Sequence, residues 1–399
     1  MTGGLFSGTI FNIETRKDLK SLEKHSEVKK TTANGAGEGL FCLLMLLFAV
    51  FEIVILVVLM ARTFQKPHVP DQPDQSEETT TEDTEEVTDE PSPSVPVFAG
   101  GKIPTLPSAN VSTQAISGIN SSYALLVNRK TGEIVAQKDA DRVFQPASLT
   151  KVMTLIVACE NLTEEDLERK LALTQEVTNY VTSGSYKDSS VSLIDQDKYL
   201  NDEFLIRDLL YGIGVESAAD CTYMIAKEIS GSEEAFVKLM NQKASELGLT
   251  DTHFDNAIGH ESENNYTTAR EMTVIMMYAL QCDLIEDILS VESHGYRGYY
   301  FDNGALKTYP RTFYSTLFRS RMETYERHAG KPFSLETVTL KAGKTGSFIT
   351  SSYMVCSAKA VGASDEYILV LGDAPKNGSI PASYGTMCDI KTVFDTYIK

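Results

Sequence analysis

The stretch "ALLVNRKTGEIVAQKDADRVFQPASLTKVMT", residues 124–154, decides the fold of this chain. Two short apolar runs, 123–127 and 133–137, are joined by a turn that contains Gly132, and this pattern predicts a β-hairpin. Pro146 then opens a segment whose apolar residues follow helical spacing. The stretch therefore predicts a hairpin followed directly by a helix with one apolar face. The apolar residues of that face are Leu149, Val152, Met153, Ile156 and Val157.

Ser148 and Lys151 lie three positions apart near the start of that helix, on one face. Serine is a poor nucleophile until a base takes its proton, and lysine can be that base only when its amine is neutral. Burial and a second nearby cation both lower the pKa of a lysine. The same Ser-x-x-Lys spacing at 21–24 and 26–29 lies in a polar tail, where nothing would desolvate the lysine. Ser148 and Lys151 are therefore the candidate nucleophile and base.

Two later motifs could complete such a site. Lys-Thr-Gly occurs at 130–132, in the predicted hairpin turn, where the glycine supplies turn geometry. It occurs again at 344–346, at the start of a strand-like segment, where Lys344 could be the second cation. A glycine within a strand lets another backbone approach closely, so Gly346 is expected to admit another molecule. Ser217 lies between these motifs, in "DLLYGIGVESAADC" at 208–221.

The charge of the chain is strongly acidic and unevenly spread. A net charge of −19 argues against nucleic acid as a partner, because phosphate binding needs clustered Lys and Arg. Residues 67–96 hold ten acidic side chains, no Lys or Arg, and six of the 13 prolines. Such a segment cannot bury enough apolar surface to fold. We therefore expect an acidic, proline-rich, disordered linker over 62–102.

Residues 40–61 form a run of 21 apolar residues with one charge. As a helix, 22 residues span roughly 33 Å, which matches a hydrocarbon core of about 30 Å. The segment 1–39 before it carries six Lys and Arg, so the positive-inside rule predicts a cytoplasmic N-terminus. The expected organisation is a cytoplasmic tail (1–39), a transmembrane helix (40–61), the linker, and an extracytoplasmic domain (103–399).

Within 103–399 the strand-like patterns lie at both ends and the helical patterns lie between them. The expected fold is α/β (α+β): a central antiparallel sheet of about five strands flanked by helices, with a mostly helical subdomain at about 162–285. The five cysteines beyond the membrane segment are scattered, which does not resemble a disulfide framework. No metal-ligand spacing occurs, so neither a metal nor a cofactor is expected.

The order of the three motifs resembles that of serine-type penicillin-binding proteins and β-lactamases. The segment "LGLTDTHFDNAIGHESENNYTTAREMT", 247–273, is also similar to a block of the low-molecular-weight D-alanyl-D-alanine carboxypeptidases, and the resemblance covers most of 121–399. It implies a β-lactamase/transpeptidase-like fold. It also implies a membrane-anchored enzyme that removes the terminal D-alanine from peptidoglycan stem peptides and is inhibited by β-lactams.

The resemblance implies a role for each motif residue. Ser148 would form the acyl-enzyme and Lys151 would take its proton, while Ser217 would relay protons to the leaving amine. Lys344 and Thr345 would hold the terminal carboxylate. Backbone N–H groups of Ser148 and Ser347 would form the oxyanion hole. The catalytic candidates are thus Ser148, Lys151 and Ser217, and the substrate-binding candidates are Lys344, Thr345, Gly346 and Ser347.

The second motif departs from the family pattern. The family carries Ser-x-Asn, whereas this chain reads Ser217-Ala218-Ala219. Loss of the carboxamide predicts weakened turnover, and Ala219→Asn is expected to raise it. Two alternatives stay open: a wall-binding or sensor module without turnover, and a β-lactamase, which needs a further carboxylate to activate water. The segment 290–340 resembles the family poorly, so contacts to substrate from it are unassigned.

Overall fold

The structure is a computed structural model, and it describes residues 95–105, 113–183, 186, 189–194 and 199–399. The predicted tail, the membrane helix at 40–61 and most of the predicted linker lie outside the described residues. None of the helices that are described has the length and apolar character needed to cross a bilayer.

In the described part of the chain, six strands form the main sheet, in the order β1-β3-β2-β10-β9-β8. Neighbouring strands are antiparallel except β1, which pairs in parallel with β3. The expected sheet of about five antiparallel strands therefore lacked one strand. A two-residue strand is too short to show alternation. The strands are β1 (Gln114–Ala115), β2 (Tyr123–Asn128), β3 (Ile134–Lys138), β8 (Val338–Ser347), β9 (Ser351–Ala360) and β10 (Glu366–Pro375).

Helices cover both faces of this sheet. Leu125 and Val127 of β2 point into the larger core, with most of the helices, whereas Ala124 and Leu126 point to the opposite face. There they pack in one cluster with residues of the C-terminal helix, such as Phe394. Burial on both faces explains why β2 is a continuous apolar run. The helices are α1 (Thr150–Asn161), α2 (Glu164–Leu167), α3 (Gln175–Thr182), α4 (Ile206–Tyr211), α5 (Ala219–Ser230), α6 (Glu233–Glu246), α7 (Ala269–Ala279), α8 (Asp283–Ser290), α9 (Met322–Ala329) and α10 (Ala382–Tyr397).

A second sheet, with the order β4-β5-β6-β7, accompanies the region expected to be mostly helical. Its first two strands are three residues each and pair with one another, and β5 also pairs with β6 of a long β6–β7 hairpin. The sequence analysis did not predict this sheet, because short strands that pair with distant residues leave little periodic signal. The strands are β4 (Lys170–Ala172), β5 (Glu203–Leu205), β6 (Ser293–Asp302) and β7 (Ala305–Tyr314).

The end of the predicted linker is packed against the domain. The backbone N–H of Val97 donates to Leu162 O at 2.7 Å, and that of Phe98 donates to Cys159 O at 2.9 Å. The Phe98 side chain is buried next to Tyr278. Val97 and Phe98, which the sequence analysis placed in the linker, thus pack alongside the helix that carries Lys151.

Candidate active site

Ser148 lies in a tight turn, and two glycines pack closely against the backbone of this turn. Pro146 precedes a short 3-10 helix, Ala147–Leu149, which runs directly into α1. A Cβ on Gly346 would lie 3.0 Å from Pro146 O, and a Cβ on Gly259 would lie 1.9 Å from Ala147 O. Part of the backbone that approaches Gly346 is therefore the turn that carries Ser148, and the approach of another molecule to Gly346 stays a prediction.

Lys151 is positioned to act on Ser148. Its Nζ lies 3.3 Å from Ser148 Oγ and donates to Ile258 O at 2.5 Å. The side chain is 2% exposed, and burial lowers the pKa of Lys151 to about 7, against the opposing pull of Asp220 and Glu233. Near neutral pH the Lys151 amine is therefore neutral in a large share of the molecules and able to accept a proton.

Ser217 and Lys344 form a second pair. Ser217 follows the π-helical turn Gly212–Glu216 and has a left-handed backbone, with φ of +64°. Lys344 Nζ donates to Ser217 Oγ and to Thr345 O, each at 2.9 Å. Lys344 is fully buried. Burial and the positive charges of Lys151 and Arg321 lower its pKa well below the usual value.

The motif residues meet where two cavities adjoin. A cleft of about 1030 Å³ is lined by Ser148, Lys151 and Ser347, and a smaller pocket of about 250 Å³ is lined by Ser148, Ser217, Thr345 and Ser347. The structure thus brings the residues of three motifs, separated by about 200 positions, around one serine. The other residues of the cleft wall include Tyr123, Phe144, Gln145, Ser190, Ile258, His260, Glu261, Tyr353 and Asp373.

Ala219 lies directly behind two residues of the cleft wall, Ser190 and Ile258. Its side chain is fully buried in a small apolar cluster with Val181 and Ile258, and its backbone N–H donates to Ser190 O at 2.8 Å. It lines neither the cleft nor the smaller pocket. A longer side chain at this position would meet Val181 and Ile258, both apolar.

Ala219→Asn is therefore expected to lower stability, and the faster turnover expected from the family pattern stays a prediction. Burying an amide without partners costs about 1–3 kcal/mol. Thermal denaturation and D-alanine release would be measured together. Ala219→Val, which adds volume but no polar group, is the matched control. Faster turnover by Ala219→Asn at unchanged stability would show that the amide can reach the cleft.

The sequence analysis did not predict two charged residues that lie at the site, Asp220 and Arg321. The Asp220 carboxylate accepts hydrogen bonds from the backbone N–H groups of Ser192 and Leu193 and so fixes that loop next to α5. Arg321 lies at the floor of the smaller pocket. Asp220 adjoins the second motif and could have been found there, whereas Arg321 comes from the segment with poor resemblance. The described residues contain no group of three His, Cys, Asp or Glu that could hold a metal ion.

Part of the chain matches the profile of a known protein family. A family profile described as D-alanyl-D-alanine carboxypeptidase matches residues 109–298, which include Ser148, Lys151 and Ser217. Over this range, 190 of its 399 residues, the chain matches that family. The matched range ends before Arg321 and the third motif at Lys344.

Curated relatives carry the same name. The chain is 33% identical over 162 residues to D-alanyl-D-alanine carboxypeptidase DacF of Bacillus subtilis, which covers 41% of this chain and 39% of that one. It is 30% identical over 206 residues to the D-alanyl-D-alanine carboxypeptidase of Streptomyces sp. strain K15, covering 50% of this chain and 66% of that one. The chain thus spans about two fifths of the length of the first relative and about two thirds of the second.

Solved structures show the same fold. The Streptomyces K15 DD-transpeptidase superposes with a TM-score of 0.55 at 24% identity, over 69% of this chain and 97% of that one. Penicillin binding protein 5 from Haemophilus influenzae gives a TM-score of 0.53 at 22% identity, over 70% of this chain and 71% of that one. The mixed α/β fold of these proteins is the one predicted from the motif order.

Proposed function

We propose that the chain is a serine D-alanyl-D-alanine carboxypeptidase that removes the terminal D-alanine of peptidoglycan stem peptides through an acyl-enzyme on Ser148. The observation that carries this proposal is a buried lysine amine 3.3 Å from a serine hydroxyl, with its pKa lowered to about 7. The same serine opens onto both a long cleft and a small hydroxyl-lined pocket. This arrangement suits a peptide that passes across the nucleophile.

Acylation would move one proton from the Ser148 hydroxyl to the leaving amine. Ser148 Oγ attacks the carbonyl carbon of the penultimate D-alanine while the neutral Lys151 amine takes the hydroxyl proton. Backbone N–H groups of Ser148 and Ser347 would stabilise the negative charge on the carbonyl oxygen. The C–N bond then breaks, and Ser217 relays to the leaving amine the proton that Lys151 took from Ser148. Ser217 is suited to this step because Lys344 donates to its oxygen, which leaves its own proton free.

Deacylation needs a water molecule in place of the departed amine. A base, Lys151 with Ser217, would take a proton from the water as its oxygen attacks the acyl carbon, and Lys151 would return that proton to Ser148 Oγ as the ester bond breaks. A β-lactam offers the same reactive groups as the substrate, a strained amide and a nearby carboxylate. Its ring stays attached after the amide opens, so we propose that β-lactams acylate Ser148 and inhibit the enzyme.

The proposal extends to location. The apolar stretch 40–61 would anchor the chain in the cell membrane, with the N-terminus cytoplasmic and the catalytic domain on the outer side. Stem peptides lie on that outer side. The acidic segment 67–96 would then act as a tether between membrane and domain.

One experiment tests these statements together. Membranes from cells that express the full chain are labelled with a fluorescent penicillin, and the adduct is located by mass spectrometry. The purified protein is then given a diacetyl-L-Lys-D-Ala-D-Ala peptide. We expect the label in the membrane fraction, an adduct on the peptide that contains Ser148, and release of D-alanine.

Each alternative predicts a different result. A sensor without turnover would be labelled but release no D-alanine. A β-lactamase would turn over a chromogenic cephalosporin continuously instead of keeping the adduct. No adduct on Ser148 would reject the proposed mechanism, and labelled protein in the soluble fraction would reject the anchor.

A further inference from the structure

Glu233, the first residue of helix α6, joins that helix to a segment of the cleft wall. Its Oε1 atom accepts hydrogen bonds from the Tyr180 hydroxyl at 2.6 Å and from the backbone N–H of Ala257 at 3.0 Å. Glu234, the next residue, is exposed and pairs with Lys238 on the surface of the same helix. Of these two adjacent glutamates, Glu233 is therefore the one that contacts the interior of the domain.

The segment that Glu233 contacts in turn holds Lys151. Ala257 O accepts from Thr154 Oγ1 at 2.7 Å, and the next carbonyl, Ile258 O, accepts from Lys151 Nζ at 2.5 Å. Thr154 and Lys151 are three positions apart, so both hydrogen bonds attach the same face of α1 to the segment. A movement of this segment would therefore move the Lys151 amine, and the hydrogen bond to Glu233 opposes such a movement.

The negative charge of Glu233 acts on the same amine. Burial lowers the pKa of Lys151 to about 7, and the charges of Asp220 and Glu233 oppose this effect by favouring the protonated amine. Burial raises the pKa of Glu233 itself, while the hydrogen bonds from Tyr180 and Ala257 favour its ionised form. Removing the charge of Glu233 without moving the segment would therefore lower the pKa of Lys151 further.

Titratable groups from several elements face Lys151 or Glu233. The tyrosine and thiol groups among them have raised pKa values, so they stay neutral near pH 7. A substitution at Glu233 leaves all of these neighbours in place. The neighbours of Lys151 are Asp220, Cys221 and Lys344, and those of Glu233 are Tyr180, Tyr186, Tyr223 and Asp255.

We propose that Glu233 is a positioning residue for the base: it holds the segment that orients the Lys151 amine, and its charge sets the pH above which acylation is fast. The inference rests on the proposed function, because that function makes Lys151 the base. A carboxylate performs both tasks, since it accepts hydrogen bonds and carries a negative charge. A glutamine at this position could perform only the first.

Glu233→Gln separates the charge from the hydrogen bonds. The amide oxygen can still accept from Tyr180 and Ala257, so the segment should stay in place. Without the negative charge, the Lys151 amine should lose its proton at lower pH. We expect the midpoint of the pH profile for labelling of Ser148 by a fluorescent penicillin to fall by about half a unit to one unit. A misplaced segment would instead lower the rate at every pH and leave the midpoint unchanged.

Two further variants accompany this one. Glu234→Gln makes the same substitution at the exposed neighbour, and it should keep the wild-type midpoint and rate. Glu233→Asp keeps the charge but withdraws it by one methylene, so its midpoint should lie between those of wild type and Glu233→Gln. If Glu233→Gln does not fold, the downward shift in Glu233→Asp is the test, and a midpoint at or above the wild-type value rejects the assignment.

An unchanged or raised midpoint in folded Glu233→Gln would overturn the assignment, whatever the rate at high pH. A second measurement needs no acylation. The amine of Lys151 is titrated by carbon-13 NMR in Ser148→Ala protein with labelled lysine, and the Lys151 signal is identified by its loss in Lys151→Met. If wild type forms no adduct, the proposed function fails, yet a lower pKa of Lys151 caused by Glu233→Gln would still support the effect of the charge. Equal pKa values with and without Glu233→Gln would reject that effect.

Discussion

Lys151→Met is expected to slow acylation of Ser148 by a fluorescent penicillin about a thousandfold. General-base catalysis contributes typically about 10²–10⁴-fold, and the side chain of Lys151 offers the neutral amine nearest to the Ser148 hydroxyl among the contacts described here. Methionine has a similar length and suits a fully enclosed site, so the packing around α1 should persist. The measurement is the second-order rate constant of labelling, with circular dichroism to confirm folding.

The pH profile makes this prediction specific to proton transfer. The pKa of Lys151 is about 7, and only the deprotonated amine can act as base. The wild-type rate should therefore rise about tenfold per pH unit below pH 7 and level off above it. In Lys151→Met this rise should vanish, leaving a slow rate with little dependence on pH in that range.

Lys138→Met is the matched control. Lys138 also donates from Nζ to a backbone carbonyl, that of Ser121 at 2.6 Å, but it does not line the cleft. It should label at the wild-type rate. If the rise with pH persists in Lys151→Met, another group acts as the base, and the pair described here is only a structural contact.

The motif residues could be found in the sequence because their chemistry restricts residue type and order. The proposed chemistry explains the reactive side chains of four residues: Ser148, Lys151, Ser217 and Lys344. Their convergence at one point could not be read from local periodicity, since it depends on β8 packing beside the nucleophile turn. The resemblance to a family supplied that convergence, and the structure reproduces it with distances of 2.9–3.3 Å.

The structural features that the sequence analysis did not predict either have no local sequence signal or have one that was not used. The β6–β7 hairpin turns at Asn303-Gly304, both with positive φ, and Asn-Gly is a strong hairpin signal. That signal was available in a segment left unassigned. Arg321 had none, because four arginines lie between 311 and 327 and only tertiary burial distinguishes one of them. The surroundings of Ala219 were likewise invisible, because Val181 and Ile258 are far from it in sequence.

Gly259→Ala is expected to reduce the labelling rate by on the order of a hundredfold and to lower the melting temperature. The added Cβ would lie 1.9 Å from Ala147 O and 2.9 Å from Ser148 N, both backbone atoms that cannot rotate away. The nucleophile turn would have to move by about an ångström, and a misplacement of that size can cost about a hundredfold in rate. The variant tests whether the loop at Gly259 positions Ser148.

Backbone conformation alone would also penalise alanine here, because Gly259 has a φ of +77°. Gly248→Ala separates the two effects. Gly248 has a φ of +72°, and a Cβ there would meet nothing within 4 Å. Both variants carry the same left-handed penalty, about 1–2 kcal/mol, but only Gly259→Ala should displace Ser148. Gly248→Ala should therefore melt somewhat lower than wild type and acylate at the wild-type rate. If the two variants acylate equally fast, the contact between Gly259 and the turn does not control the nucleophile.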